Sequence, residues 1–394
     1  MKLLPEKYNP AMLQDLGYVE TEQILLEMKA EIESVYGQAY DEMFEKAQEF
    51  LDRYRIEDEA KRKAVAEGTL DPEAYKTWRR TQMMLGRENY ALMEQLATDL
   101  KNADLIAYSV INGHIPKVYA VNSNWSMFSI SKQLNMNLAF SLIDEQTIER
   151  LLRDKPDLLP KANLNIPKDM LWNKQHLSSA ITQSILQGET IDETAKRLAS
   201  VTDMNMNAAV RNATTMTTSA QNGGRVDSYH RALNMGIKLK QRWIATLDGH
   251  TRFTHRQCDG VVVEVGKKFP NGLLFPGDPN GEPSEVYNCR CVITAVVDGQ
   301  NYDFKERNNR IDRMGNMSYS DWKNSHGGEP LFRAARNVNR DMSMHEEYMM
   351  LLGKKIPKNF TDFQKLKYNN RKYWWKLVGE ARKARNKRRA KMNG

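Results

Sequence analysis

The sequence predicts an α+β chain with long N-terminal helices, central helices followed by a small β-rich, loop-heavy module, and a helical basic C-terminal tail. Three observations carry that prediction. Apolar residues recur at steps of three and four in the first 110 residues. The period changes to two between Gly236 and Val297. The last 24 residues, Arg371–Gly394, hold ten Lys or Arg against the single acid Glu380.

Composition narrows the class. A chain of 394 residues with 41% hydrophobic and 27% charged residues can pack a core and is not disordered throughout, and its length suits two or three domains. No stretch approaches the roughly 20 apolar residues of a bilayer span, and Met1–Lys7 holds no apolar run of the signal-peptide kind. Three cysteines cannot build a disulfide framework, which points to a reducing compartment. The expectation is a soluble protein made inside the cell. Its net charge of +8 conceals a polarity: Glu20–Glu59 has 13 acids against 4 bases, while the last 24 residues carry +9.

In order along the chain, Leu25, Met28, Ile32, Tyr36, Tyr40, Met43, Ala47, Phe50 and Tyr54 form one apolar stripe on a long helix. The stripe is close to a heptad seam and needs another helix, either residues 72–103 of the same chain or a partner. Val118–Val121 and Leu138–Ile143 read as short strands flanking a Ser/Asn-rich segment at 122–126. Thr190-Ile191-Asp192-Glu193 is a capping box that opens a further helix. Alternation at Ile237, Leu239, Trp243 and Ala245, then Val261–Val265 and Val292–Val297, marks three strands separated by Pro- and Gly-rich turns. The regions are thus 1–110 helical, 111–235 mixed then helical, 236–300 β-rich, and 301–394 a polar helical tail ending in a basic segment.

Candidate chemistry is concentrated in two loops of the β-rich module. One runs from Asp248 through His250, His255 and Cys258 to Asp259; the other is Asn288-Cys289-Arg290-Cys291. His255, Cys258, Cys289 and Cys291 make up one imidazole and three thiols, a legitimate tetrahedral zinc set that would staple a module with little core. The alternative is that the cysteines are small core residues and the loop polar groups bond one another. A catalytic reading takes His255 as base, with Asp248 and Asn288, in a metal-dependent nuclease. No nucleophile elbow or phosphate-binding loop is present. In the tail, Arg382, Lys383, Arg385, Lys387, Arg388, Arg389 and Lys391 are dense enough to neutralise several phosphates, giving binding to double-stranded DNA without sequence preference. Tyr373, Trp374 and Trp375 just before them could stack or anchor.

The ordered set Trp243, Asp248, Thr251-Arg252, His255, Asp259-Gly260, Pro276-Gly277-Asp278, Glu285 and Asn288-Cys289-Arg290-Cys291 resembles the phage Mu F-like head-morphogenesis family, the minor head proteins of tailed bacteriophages. The resemblance covers roughly residues 180–370. It implies a non-enzymatic, low-copy structural protein of the virion, inside the capsid near the portal and in the host cytoplasm during assembly. It also implies portal and other head proteins as partners, a role in genome delivery, no membrane and no required cofactor. The motif residues would then be fold-defining. Cys258 stands where the family more often has an apolar residue, so a complete four-ligand zinc set is not part of the pattern.

Overall fold

The computed structural model describes residues 9–84, 87–138, 142–155, 158–159, 166–187, 189–298, 314–326, 338–357, 363, 366–367 and 371–392. The chain divides into two units, Met1–Ser123 with Glu149–Asp298, and Asn124–Ile148 with Gly299–Gly394. The expected boundary at residue 110 falls inside a helix.

In the first unit a single turn, α1 (Pro10–Leu13), precedes α2 (Leu16–Ala66), α3 (Pro72–Met84) and α4 (Arg87–Leu134), whose last residues enter the second unit. The apolar stripe is real. Leu25, Met28, Ile32, Tyr36, Met43, Ala47 and Phe50 are buried on one face of the 51-residue α2. Its partner is in the same chain. Thr21 meets Asn122 at 2.6 Å, Glu31 meets His114 at 3.0 Å, Tyr36 meets Asp104 at 2.6 Å and Lys46 meets Asp99 at 2.7 Å, so α2 and α4 run antiparallel.

Val118–Val121 is not a strand; it lies within α4. Strand propensity is weak against burial: Val118, Tyr119, Ala120, Val121, Asn122 and Ser123 are all buried, and nothing here needs an exposed alternating face. In the Ser/Asn segment, Asn122 donates to Thr21 Oγ1 at 2.6 Å and Ser123 bonds Ser228 at 2.9 Å, partners on neighbouring helices that suit a helix rather than a turn. Of Leu138–Ile143, the described residues 138, 142 and 143 form no strand, and 139–141 lie outside the described residues.

After α5 (Glu145–Asp154) and α6 (Ile166–Gln187) comes α7 (Ile191–Asn234), opened by the capping box, with Thr190 N–H donating to Glu193 at 2.8 Å and Glu193 N–H to the Thr190 hydroxyl at 3.3 Å. It runs antiparallel to α2, with Arg55 donating to the Glu189 carbonyl at 2.8 Å just before its start and Arg225 bonded to Asp15 near its end. Gly224 lets it approach α4 closely, because a Cβ there would overlap the Tyr119 carbonyl oxygen.

The three expected strands form one antiparallel sheet in the order β2-β1-β3, with β1 Leu239–Ile244, β2 Val262–Glu264 and β3 Val292–Val297. Trp243 faces Ile293 and Lys240 faces Glu264 across the register. Two short helices interrupt the connections, α8 (Phe253–Cys258) and α9 (Pro283–Val286). Met12, Tyr18, Ile244 and Val292 form a shared apolar cluster, so α1 and the first turn of α2 close on the sheet.

In the second unit, Trp125 and Phe128 pack on Tyr319 and Trp322 of α10 (Tyr319–Ser325), with ring centroids 5.1–5.7 Å apart. Helices α11 (Val338–Leu352) and α12 (Arg371–Met392) share a core of Tyr348, Ile356, Phe363, Trp374, Leu377 and Ala381. Trp374 is therefore not a free stacking residue, since its ring lies on Tyr348 at 5.6 Å. Trp375 remains exposed. Arg382 and Lys383 are exposed, and Arg385 pairs with Glu347 at 2.6 Å. The side chains of Lys387, Arg388, Arg389 and Lys391 lie outside the described residues. Among the described residues, no helix is long and apolar enough to cross a membrane.

Candidate functional site

The two motif loops meet over one flank of α7. The loop after β1 turns at Asp248, whose carboxylate accepts from the His250 amide at 3.0 Å and the Thr251 hydroxyl at 2.9 Å. The Arg290 guanidinium closes on its other oxygen from the second loop. Burial opposes ionisation of Asp248, but Thr251 and Arg290 outweigh it and hold the carboxyl below its ordinary range. Arg252 donates to the Tyr287 carbonyl. Asp259 accepts from the Ala245 amide at 2.8 Å, and Gly260, at φ +75°, donates to the Trp243 carbonyl at 2.9 Å. These bonds return the chain from α8 to the sheet.

Trp243 is fully buried and edge-on to His255 and Phe269 at 5.2 and 5.0 Å. Pro276 is buried, and Gly277 turns with φ +78° directly against α7. Asp278 caps its own turn, accepting from Leu274 N–H at 3.0 Å and Asn280 N–H at 2.9 Å. Asn288 takes a left-handed conformation, φ +57°, and its amide donates to Thr215 Oγ1 at 2.8 Å.

Of the four residues expected to gather for zinc, three do. His255 Nδ1 stands 3.5 Å from the sulfurs of both Cys289 and Cys291, and all three side chains are buried. Cys258 is also buried, one turn beyond His255, but its sulfur is not in this cluster; burial pushes its thiol up. Within the pair, the Cys291 amide donates to the Cys289 sulfur at 3.4 Å, and the two thiols interact electrostatically. That side-chain interaction and burial push Cys289 up, and the same interaction, reinforced by His255, pulls Cys291 down. His255 Nε2 lies 3.0 Å from Glu285 Oε2, off the angle of a straight hydrogen bond, and Thr254 holds that carboxylate at 2.8 Å.

The cluster borders a pocket of about 570 Å³. Asp248, His255 and Asn288 all line it, so the three residues of the catalytic reading do share one cavity. Lys29, Arg211, Arg252 and Arg290 line it too, against the single acid Asp248, so its walls favour an anion.

The polar residues that bind this site to the fold lie outside the motif. Thr218 donates to the Cys289 carbonyl, and Asn222 donates to the Cys291 carbonyl at 3.2 Å while accepting from Ile293 N–H at 2.9 Å. Arg225, almost wholly buried, makes a two-point pair with Asp15 at 2.6 and 2.7 Å. It also donates to the Ile293 carbonyl at 2.9 Å and to Asn122 Oδ1 at 2.8 and 3.0 Å. Thr215, Thr218, Asn222 and Arg225 recur at steps of three, four and three, a polar stripe inside a buried helix face. That periodicity is readable in the sequence.

Fold and site together define an α+β module in which one long helix carries a three-stranded sheet through buried hydrogen bonds. Residues 175–294 match the family model described as Phage Mu protein F like protein. Curated relatives include the NAD(+)--arginine ADP-ribosyltransferase EFV of Enterococcus faecalis (strain ATCC 700802 / V583), 28% identical over 50% of this chain and 40% of its own. Minor head protein GP7 of Bacillus phage SPP1 is 24% identical over 55% of this chain and 69% of its own. The uncharacterized protein YqbB of Bacillus subtilis (strain 168) is 26% identical over 32% and 42%. The chain thus spans about two fifths of the length of two of these three relatives. No solved structure matches it.

Proposed function

We propose that this chain is a structural minor head protein of a tailed bacteriophage, built into the capsid during head morphogenesis and held near the portal. The observation that carries this reading is how the motif residues are used. Within the segment that matches the Mu F-like family, Asp248, Asp259, Asp278 and the backbone of Asn288, Cys289 and Cys291 are committed to turns and to α7. A catalytic site needs its polar groups aimed at a substrate; here the three aspartates and these backbone groups are bonded within the fold. Similarity to a minor head protein supports the same role. The acidic α2 suits a protein partner, and the basic end of α12 suits packaged DNA bound without sequence preference, with a part in genome delivery.

For the tail, removal of Arg382–Gly394 should weaken duplex binding equally across sequences and flatten the salt dependence by about 0.9 for each phosphate no longer neutralised. The cut begins after Ala381 because that residue belongs to the α11–α12 core. Fluorescence anisotropy between low and moderate salt reads the slope. An unchanged slope would place any DNA binding elsewhere on the molecule.

The second reading, a metal-dependent nuclease using His255, Asp248 and Asn288, is favoured by one observation, their shared pocket. It is tested by incubating supercoiled plasmid with the full chain and Mg²⁺, Mn²⁺ or Zn²⁺. The structural reading expects no cleavage. Cleavage that disappears in His255→Ala while that variant still melts cooperatively would replace it with the enzyme.

A further inference from the structure

We propose that His255, Cys289 and Cys291 bind one zinc ion through His255 Nδ1 and the two sulfurs, with the fourth coordination position opening on the adjoining pocket rather than taken by Cys258. The spacing argues for it. With Zn–S of about 2.3 Å and Zn–N of about 2.0–2.1 Å, a tetrahedral ion holds a nitrogen and a sulfur ligand about 3.6 Å apart. His255 Nδ1 is 3.5 Å from each sulfur, and the three atoms lie within 4.8 Å of one another. One imidazole and two thiolates form a borderline-soft set that suits zinc over magnesium or calcium.

The surroundings are also those of a metal site. Ligating histidines turn their second ring nitrogen to a carboxylate, which orients the ring and leaves the other nitrogen free to coordinate. Glu285 lies beside that nitrogen, 3.0 Å from Nε2 though off the angle of a straight hydrogen bond, and Thr254 holds its carboxylate. The two cysteines are held from behind by Thr218 and Asn222 through their carbonyls, so both sulfurs are aimed before any ion arrives. Cys258 is three residues after His255, outside the cluster. The open position meets the cavity of about 570 Å³, where water or an anion drawn by Arg211 and Arg252 completes the tetrahedron. The ion would tie α8 to the strand-entry loop of β3, a cross-link in a module with three short strands.

The test uses the full chain purified without chelator, with metals quantified by plasma mass spectrometry. The proposal expects about one zinc per chain, retained in Cys258→Ser and lost in Cys289→Ser, Cys291→Ser and His255→Ala. Exchange with cobalt should give the visible bands of a four-coordinate ion and a thiolate charge-transfer band, both unchanged in Cys258→Ser and lost with the metal in either of the other two serine variants. If those variants fail to fold, the wild type suffices: chelator should lower its melting temperature and added zinc restore it. Absence of zinc together with no cobalt spectrum after loading would overturn the site. Loss of zinc in Cys258→Ser would overturn the assignment of the open position. Neither result bears on the head-protein reading, which requires no metal.

Discussion

Arg225→Ala is expected to cost about 3–5 kcal/mol of folding stability, the range for breaking a buried ion pair from one side. Asp15 is 7% exposed and accepts both of its close guanidinium bonds from Arg225. Without the arginine its charge stays buried and unpaired, while the Ile293 carbonyl and Asn122 Oδ1 lose donors as well. The penalty comes mainly from the stranded carboxylate, so adding Asp15→Asn should recover part of it. The asparagine keeps an oxygen for the Tyr18 amide, which now donates to Asp15 Oδ1 at 2.8 Å. Urea denaturation of the wild type, single and double variants measures this directly. A double variant no more stable than Arg225→Ala would show that the charge is not the source of the loss.

Gly277→Ala should also be costly, by about 2–5 kcal/mol, for two separable reasons. A left-handed backbone costs a non-glycine residue about 1–2 kcal/mol, and Gly277 has φ +78°. A Cβ there would then stand 2.8 Å from both the Cα and the N of Ser219, backbone atoms of α7 that cannot rotate away. Overpacking of that kind costs about 1–3 kcal/mol more. Gly272 is the internal control, with φ +83° and open space where its Cβ would be. Gly272→Ala should show the conformational cost alone, about 1–2 kcal/mol. Equal losses at the two positions would mean that the 276–278 turn does not bear on α7.

Both positions show why parts of the molecule were legible in sequence and others were not. The three strands, the capping box and the apolar face of α2 are local patterns with short periods, and each is found where its residues indicate. Val118–Val121 misled because β-branched residues score as strand while the segment is buried inside a long helix, where intrinsic preference decides little. The motif loops could be recognised as one constellation, but not how the second is held, because its partners Thr215, Thr218 and Asn222 are 69–73 residues earlier in α7. The polar stripe Thr215, Thr218, Asn222, Arg225 was the available clue: four hydrogen-bonding side chains on one face of a helix that is otherwise buried. Cys258 lies three residues after His255 on α8, a spacing that sets both on one helix face, yet its sulfur lies outside the group formed by His255, Cys289 and Cys291.

The most direct measurement of the central claim is the protein composition of heads. The chain would be co-expressed with the major capsid, scaffolding and portal proteins of the phage that encodes it, and the purified particles quantified by mass spectrometry with and without portal. The account predicts a few copies of this chain in portal-containing heads, fewer in particles lacking portal, and loss of incorporation in Arg225→Ala. Absence of the chain from both kinds of particle, with the wild type folded and soluble in the same lysate, would contradict it.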